Sequence, residues 1–431
     1  MRIFTLPLVL IIAVLPVRAE TDTPSVVRAV LEELRLKPEN QTPEEKRLVT
    51  LYDEGYVLRG HDDLLKIGGM VQMDGRFYQN GHPASDRALI RRARIDIRGV
   101  LENFFGYRLQ GDFASSAQSR LVEGWLDYTR YPAFRLRVGQ FGTPFSLEGS
   151  QSSLFTPLLE RSVAVTNLWP AEDIGAMVFG QIAGGSLEYA VGGFNGRFST
   201  GSPRAAAQDD NNDDFDIASR LVARIGTAGK SVLYVGGSAT IGNQDDAWGA
   251  SGETFRTSYG TSYWTWAAGT THAGRRLRYG GEAQFLRGSF SLQGEYLGAS
   301  YDDIFRAGIR TDLDVHSGYV AASYVLTGED KPRSGAIKPR ENFDFSKGEW
   351  GAWEAVGRWE TFIADERLIS GGFATGASEL DGYSGGLHWW PNRHIMIGAD
   401  YTHYDFNRAI TVSGRGIDHE DIAAIRFQYQ L

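Results

Sequence analysis

Leu89-Ile90-Arg91-Arg92-Ala93-Arg94-Ile95-Asp96-Ile97-Arg98 is the stretch whose reading decides the fold. Successive side chains of a strand point to opposite faces, so Arg92, Arg94, Asp96 and Arg98 share one face while Ala93, Ile95 and Ile97 share the other. One wall is charged and the other is apolar.

The flanking segments repeat the pattern. Phe105, Tyr107, Leu109 and Phe113 alternate with Arg108, Gln110 and Asp112, and Phe134, Leu136 and Val138 alternate with Arg135 and Arg137. A soluble β-sandwich also alternates, with its polar face toward bulk water and its apolar face toward a core. The remainder of the chain has to choose between the two.

Aromatic content of 12%, 52 glycines and no Pro-rich or Ser-rich linker favour one large repetitive β-structure over several packed domains. Residues 1–19 read as a secretory signal: Arg2, an apolar run from Ile3 to Leu15, then Val17-Arg18-Ala19. That run is short for a spanning helix, and no later stretch supplies the roughly 20 consecutive apolar residues one needs. Without cysteines, no disulfide stabilises the exported chain, and a large hydrogen-bonded framework must do so. Removing Arg2 and Arg18 leaves 42 basic against 53 acidic residues, a charge of −11, which argues against a nucleic-acid partner. For a pore the local charge of the inner wall matters more than this total.

Residues 20–62 read as a periplasmic extension with helical spacing over 24–36 and over 43–56, where Thr42 precedes Pro43 as an N-cap. A weakly ordered tail is the alternative for both pieces. From Leu64 the period becomes two. Strands are expected from 64 and near 88–100, 104–113, 121–130, 133–141, 172–182, 185–195, 214–226, 230–242, 260–272, 275–287, 289–301, 315–327, 350–362, 380–390, 393–406 and 418–431. That makes seventeen, and bacterial barrels usually have an even number, so at least one candidate is wrong or missing; sixteen is the expected number, with eighteen as the alternative.

Tight connections at Arg130 to Ala133, Ala273-Gly274, Gly288 and Pro391-Asn392 alternate with long polar ones at 196–213 and 328–349. Short turns at one end and long loops at the other are expected of a transmembrane antiparallel β-barrel, which pairs every backbone group and has no edge. Aromatics on the apolar faces, Trp353 and Trp359, Phe285 and Tyr279, Phe290 and Tyr296, suit the two membrane interfaces. In the last strand Ile425, Phe427, Tyr429 and Leu431 share one side and Arg426, Gln428 and Gln430 the other, a pattern similar to outer-membrane assembly signals.

Several stretches together resemble the phosphate-selective porin O/P family: Gly55-Tyr56-Val57-Leu58 leading to Leu64-Leu65-Lys66-Ile67-Gly68-Gly69 and Met73-Asp74; Ile90 to Arg94; Gly139-Gln140-Phe141 with Pro144-Phe145-Ser146-Leu147-Glu148; Leu159-Glu160-Arg161-Ser162; and Leu326-Thr327-Gly328-Glu329. The resemblance covers 55–431 in outline. It implies a 16-stranded homotrimeric channel of the bacterial outer membrane, with an inward-folded third loop, an anion-binding interior, and contacts to lipid and the assembly machinery. At one position the chain departs from the family, which places Lys after Gly-Gln-Phe where this chain has Gly142-Thr143.

Residues 142–171, within the barrel domain 63–431, are the long insertion suited to that third loop. Ser146, Glu148, Ser152, Ser153 and Glu160 are its candidate constriction residues, with Thr156 and Arg161 beside them; a plain surface loop is the alternative. Arg92, Arg94, Arg98, Arg108, Arg135, Arg137, Arg161, Arg220 and Arg224 are the candidate anion pathway, and Arg276 and Arg278 share the wall. A guanidinium fork can take two oxygens of an anion and pass it to the next fork. Alternatively these arginines pair with Asp96, Asp112, Glu123, Asp127, Glu282 and Glu295 and only stiffen the wall.

No cofactor or metal site is expected. The eight histidines are scattered, His388 and His394 suit an interface, and the Asp209 to Asp214 run lacks the glycine of a calcium loop. No nucleophile elbow or phosphate loop occurs. The expected function, following the resemblance, is passive diffusion of small anions, phosphate or polyphosphate-like, through an arginine-lined water-filled lumen. A general or weakly cation-preferring pore is the first alternative, and an outer-membrane scaffold or enzyme using the long loops is the second.

Overall fold

The computed structural model describes residues 49–52, 55–59, 62–114, 120–196, 214–227, 231–247 and 254–431. In chain order the strands are β1 (Val49–Tyr52), β2 (Tyr56–Arg59), β3 (Leu64–Tyr78), β4 (Arg87–Leu101), β5 (Phe105–Asp112), β6 (Arg120–Tyr131), β7 (Phe134–Gly142), β8 (Glu172–Ile182), β9 (Leu187–Phe194), β10 (Asp216–Thr227) and β11 (Ser231–Asp246). They continue with β12 (Thr254–Arg256), β13 (Ser262–Trp266), β14 (Thr271–Arg287), β15 (Phe290–Arg306), β16 (Ile309–Val325), β17 (Ala352–Ala364), β18 (Ala374–Gly376), β19 (Glu379–Asn392), β20 (Ile395–Val412) and β21 (Arg415–Gln430).

Eighteen strands form one sheet, of which β1 and β2 are an appended hairpin. The other sixteen, every pair antiparallel, close into a barrel when β21 pairs with β3 from Ile422↔Tyr78 to Gln430↔Met70. The outer surface carries Ile95, Leu109, Leu126, Val138, Leu221, Val320, Tyr383 and Ile425, all exposed, as lipid contact requires. Trp353, Phe285 and Phe290 lie toward one end of this belt, where β14, β15, β17 and the tight turns meet.

The seventeenth candidate, 260–272, is not a barrel strand. Its residues 262–266 form β13, which pairs with β12 and β18 in a separate three-stranded sheet. That sheet packs inside the barrel with the segment 143–171, which holds the short helices α1 (Leu147–Ser150) and α2 (Val163–Leu168). Trp264, Tyr263, Phe255 and Trp266 join Phe145, Val163 and Leu168 in one buried cluster against Leu297, Tyr301, Val315, Phe362 and Tyr404 of the wall. The inner wall is therefore not polar all round. On β15 to β21 much of it is apolar, because protein rather than water lies against it.

Other expectations change as well. The helix expected over 43–56 gives way at 49–59 to the β1–β2 hairpin, and β2 pairs with the part of β3 that extends past the end of β21. Val57 and Leu58 gain sheet pairing there, a tertiary contact that overrides helical spacing. Residues 1–48, including the signal and the first helix, lie outside the described residues, as do 197–213 of the long loop and most of the aspartate run. Ala273-Gly274 sits within β14 at an irregularity between His272 and Arg276, and the turn expected at Pro391-Asn392 falls on Arg393-His394. Strand parity also places 326–351 at the same end as the tight turns 102–104, 132–133 and 393–394.

Candidate permeation pathway

The interior divides into a filled half and an open half. The open half is a cavity of about 930 Å³ walled by β3 to β10, the end of β21, the inward loop at 142–155 with Arg161 and Trp169, and residues 333–335. Eight arginines line it, Arg94, Arg98, Arg108, Arg135, Arg137, Arg161, Arg220 and Arg333, against the four carboxylates Asp96, Glu123, Glu172 and Glu188. The lining side chains thus carry four more positive than negative charges, although Asp112, Asp127 and Glu282 just behind the lining pair with three of the arginines, in a chain whose net charge is −9.

These arginines differ in how far they are committed. Arg94 reaches Asp112 at 2.9 Å, and Arg108 bridges Asp96 at 2.7 Å and Glu123 at 2.8 Å. Arg137 pairs with Asp127 at 2.6 and 2.7 Å and lies 3.8 Å over the Trp125 ring. Arg220 pairs with Glu282 at 2.9 Å. Arg98 has only a 3.9 Å approach to Asp96 and is 44% exposed along its side chain, and Arg135 has no carboxylate within 4.0 Å among the described residues. Arg161 donates to the carbonyls of Gly149 and Gln151 and stacks 4.5 Å from the Trp169 ring.

The other sequence candidates lie elsewhere. Arg92 points inward but is buried, donating to Gln72 at 2.8 Å. Arg224 shares the inward parity of Arg220 without lining the cavity. Arg276, paired with Asp216 at 2.8 Å, and Arg278 are buried in the wall. Glu295 meets no arginine among the described residues. Its carboxylate accepts from the backbone N–H groups of Leu147 at 2.8 Å and Glu148 at 2.7 Å. His388 is buried inside, 3.0 Å from Asp400, and only its neighbour Trp389 faces outward.

Glu295 is one of three wall carboxylates that accept amides of the inward loop; Asp400 takes Leu159 N–H at 2.7 Å and Glu360 takes Val163 N–H at 2.6 Å. Charge-assisted bonds to backbone amides are about twice as strong as neutral ones, and here they fix the loop along its length. Within the loop, Ser146 caps α1 by accepting from Gly149 N–H at 3.0 Å, and Glu148 accepts from Ser162 N–H at 2.9 Å. Gly149 lies flush on Trp169: a Cβ there would come within 2.6 Å of the ring. Of the constriction candidates only Ser152 and Ser153 border the cavity, while Ser146, Glu148 and Glu160 hold the loop in shape.

Glu160 is the centre of that fastening. Arg76 reaches it at 2.8 Å, Arg91 at 2.7 Å and Arg426 at 2.9 Å, while Asp74 takes second bonds from Arg76 at 3.2 Å and Arg426 at 2.6 Å. Burial pushes the Glu160 carboxyl up, but Arg91, Arg426 and Arg76 outweigh it and hold the group well below the usual carboxylate range. Sequence reading missed Arg76, Arg91 and Arg426 as a group. Arg91 turns inward because the β3–β4 register shifts between Gln72 and Met73, so Ile90 faces lipid and Arg91 and Arg92 both face inside. The consecutive arginines on one strand were the available signal.

Residues 65–431 match the profile of the family described as phosphate-selective porin O and P. The chain belongs to that family. As a phosphate-selective porin O and P member it is an anion porin of the bacterial outer membrane, consistent with its closed barrel, lipid-facing belt and arginine-lined cavity. Among solved structures it is similar to an anion-selective porin from Comamonas acidovorans (11% identity, TM-score 0.55, covering 86% of this chain and 100% of the other). It is also similar to the trimer form of OmpT from Vibrio cholerae (13%, 0.51, 86% and 99%) and to the channel DcaP of Acinetobacter baumannii (10%, 0.53, 86% and 97%). At these identities the likeness concerns the fold. No curated protein matches the sequence.

Proposed function

We propose that this porin passes small inorganic anions, phosphate among them, with Arg98 and Arg135 as the contacts that meet the permeating ion. Arg94, Arg108, Arg137 and Arg220, held by carboxylates, shape the wall and add to the field. The observation carrying the reading is the eight-to-four ratio of arginines to carboxylates around the cavity. Low-dielectric walls focus such an excess and concentrate counter-ions in the channel. With Gly142-Thr143 in place of the family's Lys, Arg161 on the Trp169 ring is the cation that the inward loop itself offers. The homotrimeric state is part of this proposal, supported by the trimer form of the Vibrio cholerae porin of similar fold.

The test is the reversal potential of the reconstituted protein under a KCl gradient, repeated with phosphate on one side. Chloride preference with block by phosphate is expected. A near-zero or cation-side potential overturns the reading in favour of a general diffusion pore, the alternative suggested by how many of the lining arginines are ion-paired.

A further inference from the structure

The segment 326–351 does two things at the tight-turn end. Its first part turns into the barrel, where Ala336 and Ile337 are buried beside Trp390 and Met396 and Arg333 grips Glu188 at 2.8 and 3.0 Å. Its second part turns outward. Residues 344–349 form a small hairpin closed by an Asp344↔Glu349 bridge, and Asp344 is paired with Lys347 at 3.0 Å.

The outward part continues the aromatic belt below the barrel rim. Trp353 and Trp389, on the outer faces of β17 and β19, stack at 5.7 Å. Phe343 stands edge-on to Trp389 at 5.1 Å and lies 6.0 Å from Trp350, and Phe345 meets Trp350 at 6.4 Å. Trp389 donates its ring N–H to the Trp350 carbonyl at 2.7 Å, and Phe343 N–H donates to the Pro391 carbonyl at 2.7 Å, so the hairpin is fastened against the lipid-facing strands. Phe345 is nevertheless 78% exposed and Trp350 56% exposed. Beside them a cavity of about 230 Å³ is lined by Lys338, Pro339, Asn342, Asn392, Arg393 and His394, with no carboxylate in its lining. Lys338 has no ion pair among the described residues.

We propose that this hairpin and pocket bind an anionic phospholipid of the inner leaflet of the outer membrane. Lys338 and Arg393, with the amides of Asn342 and Asn392, take the headgroup phosphate, while Phe345 and Trp350 insert beside its glycerol and upper acyl chain. Two observations select lipid as the occupant: the exposed rings are continuous with the outer aromatic surface of β17 and β19, and the pocket at the same tight-turn end of the barrel is lined by Lys338 and Arg393 without a carboxylate. Aromatic rings at an interface and basic residues against anionic headgroups are the two terms that hold protein to a membrane surface.

The test is native mass spectrometry of the delipidated, detergent-solubilised full-length porin offered phosphatidylglycerol or phosphatidylcholine, with and without millimolar inorganic phosphate. Wild type is expected to retain phosphatidylglycerol on the order of tenfold better than phosphatidylcholine. The double variant K338Q/R393Q is expected to lose that preference while keeping its heat-modifiable gel mobility, and F345S/W350S to weaken both lipids alike. Equal retention of the two lipids by wild type, or an unchanged preference in K338Q/R393Q, overturns the proposal. Displacement of phosphatidylglycerol by inorganic phosphate overturns it too, assigning the pocket to the free ion. Channel selectivity is read separately from the reversal potential, so failure of either proposal leaves the other standing.

Discussion

Arg91 and Glu160, 69 residues apart, form a two-point ion pair, with Nε to Oε1 at 2.7 Å and Nη2 to Oε2 at 3.1 Å. A register shift in the barrel turns Arg91 inward, and the inward loop brings Glu160 to meet it. The pair, with Arg76 and Arg426, fastens the loop across the lumen.

Glu160→Gln is therefore expected to be strongly destabilising. Removing one partner of a buried ion pair costs about 3–5 kcal/mol, because the remaining charges stay buried without compensation. Arg91 would lose its carboxylate, and Arg76 and Arg426 would share Asp74 alone, which loosens the loop at this point. Single-channel recordings should show larger and noisier openings, and the heat-modifiable gel transition should move to lower temperature.

The same carboxylate sets the acid response. Its folded-state pKa is depressed, so the stability it contributes is present above the unfolded carboxylate range and is lost only as pH falls through the depressed value. The fastening of the loop by Glu160 should be unchanged from pH 7 to about pH 4.5, near the free Glu pKa. Loosening should begin only in stronger acid. Loss of the Arg91–Glu160 pairing between pH 6 and 5 would contradict this.

Arg98→Gln and Arg135→Gln should each lower chloride preference and weaken phosphate block. Asp96→Asn should do the reverse, since it releases Arg108 from one of its two carboxylates. Each substitution changes the charge of the lining by one, downward for the two arginines and upward for Asp96, so shifts of severalfold in the permeability ratio are expected, on the order of that for one charge in a poorly screened site. Reversal potentials under a salt gradient measure all three.

Trp264→Ala should cost about 3–5 kcal/mol, as large-to-small changes in a packed core do. Trp264 is fully buried between Phe255 and Trp266 inside the barrel. Loosening the inner sheet should also open part of the filled half, so conductance should rise as thermal stability falls. A fall in stability with conductance unchanged would mean that the inner sheet does not limit the pore.

The sequence by itself determined the barrel. Alternation is a local property of a strand, so the opposed faces of 89–98 and 423–430 could be read residue by residue, and closure followed from the need to leave no unpaired backbone in lipid. The inward third loop was implied by the family resemblance; the length of 142–171 alone left a plain surface loop open.

Only the tertiary structure decided what the polar residues do. A one-residue register shift inverts the faces on either side of it, so alternation put Ile90 with Arg92 although it faces lipid, and passed over Arg91. Glu295 looks like a partner for a wall arginine, yet the loop amides of Leu147 and Glu148 reach it first in the fold. Segment 262–266 has strand period and is a strand, but it pairs inside the barrel, because period gives the local conformation and not the partner. Pairings across tens or hundreds of residues are set by which groups the closed barrel brings within bonding distance, and no window of sequence contains both ends of them.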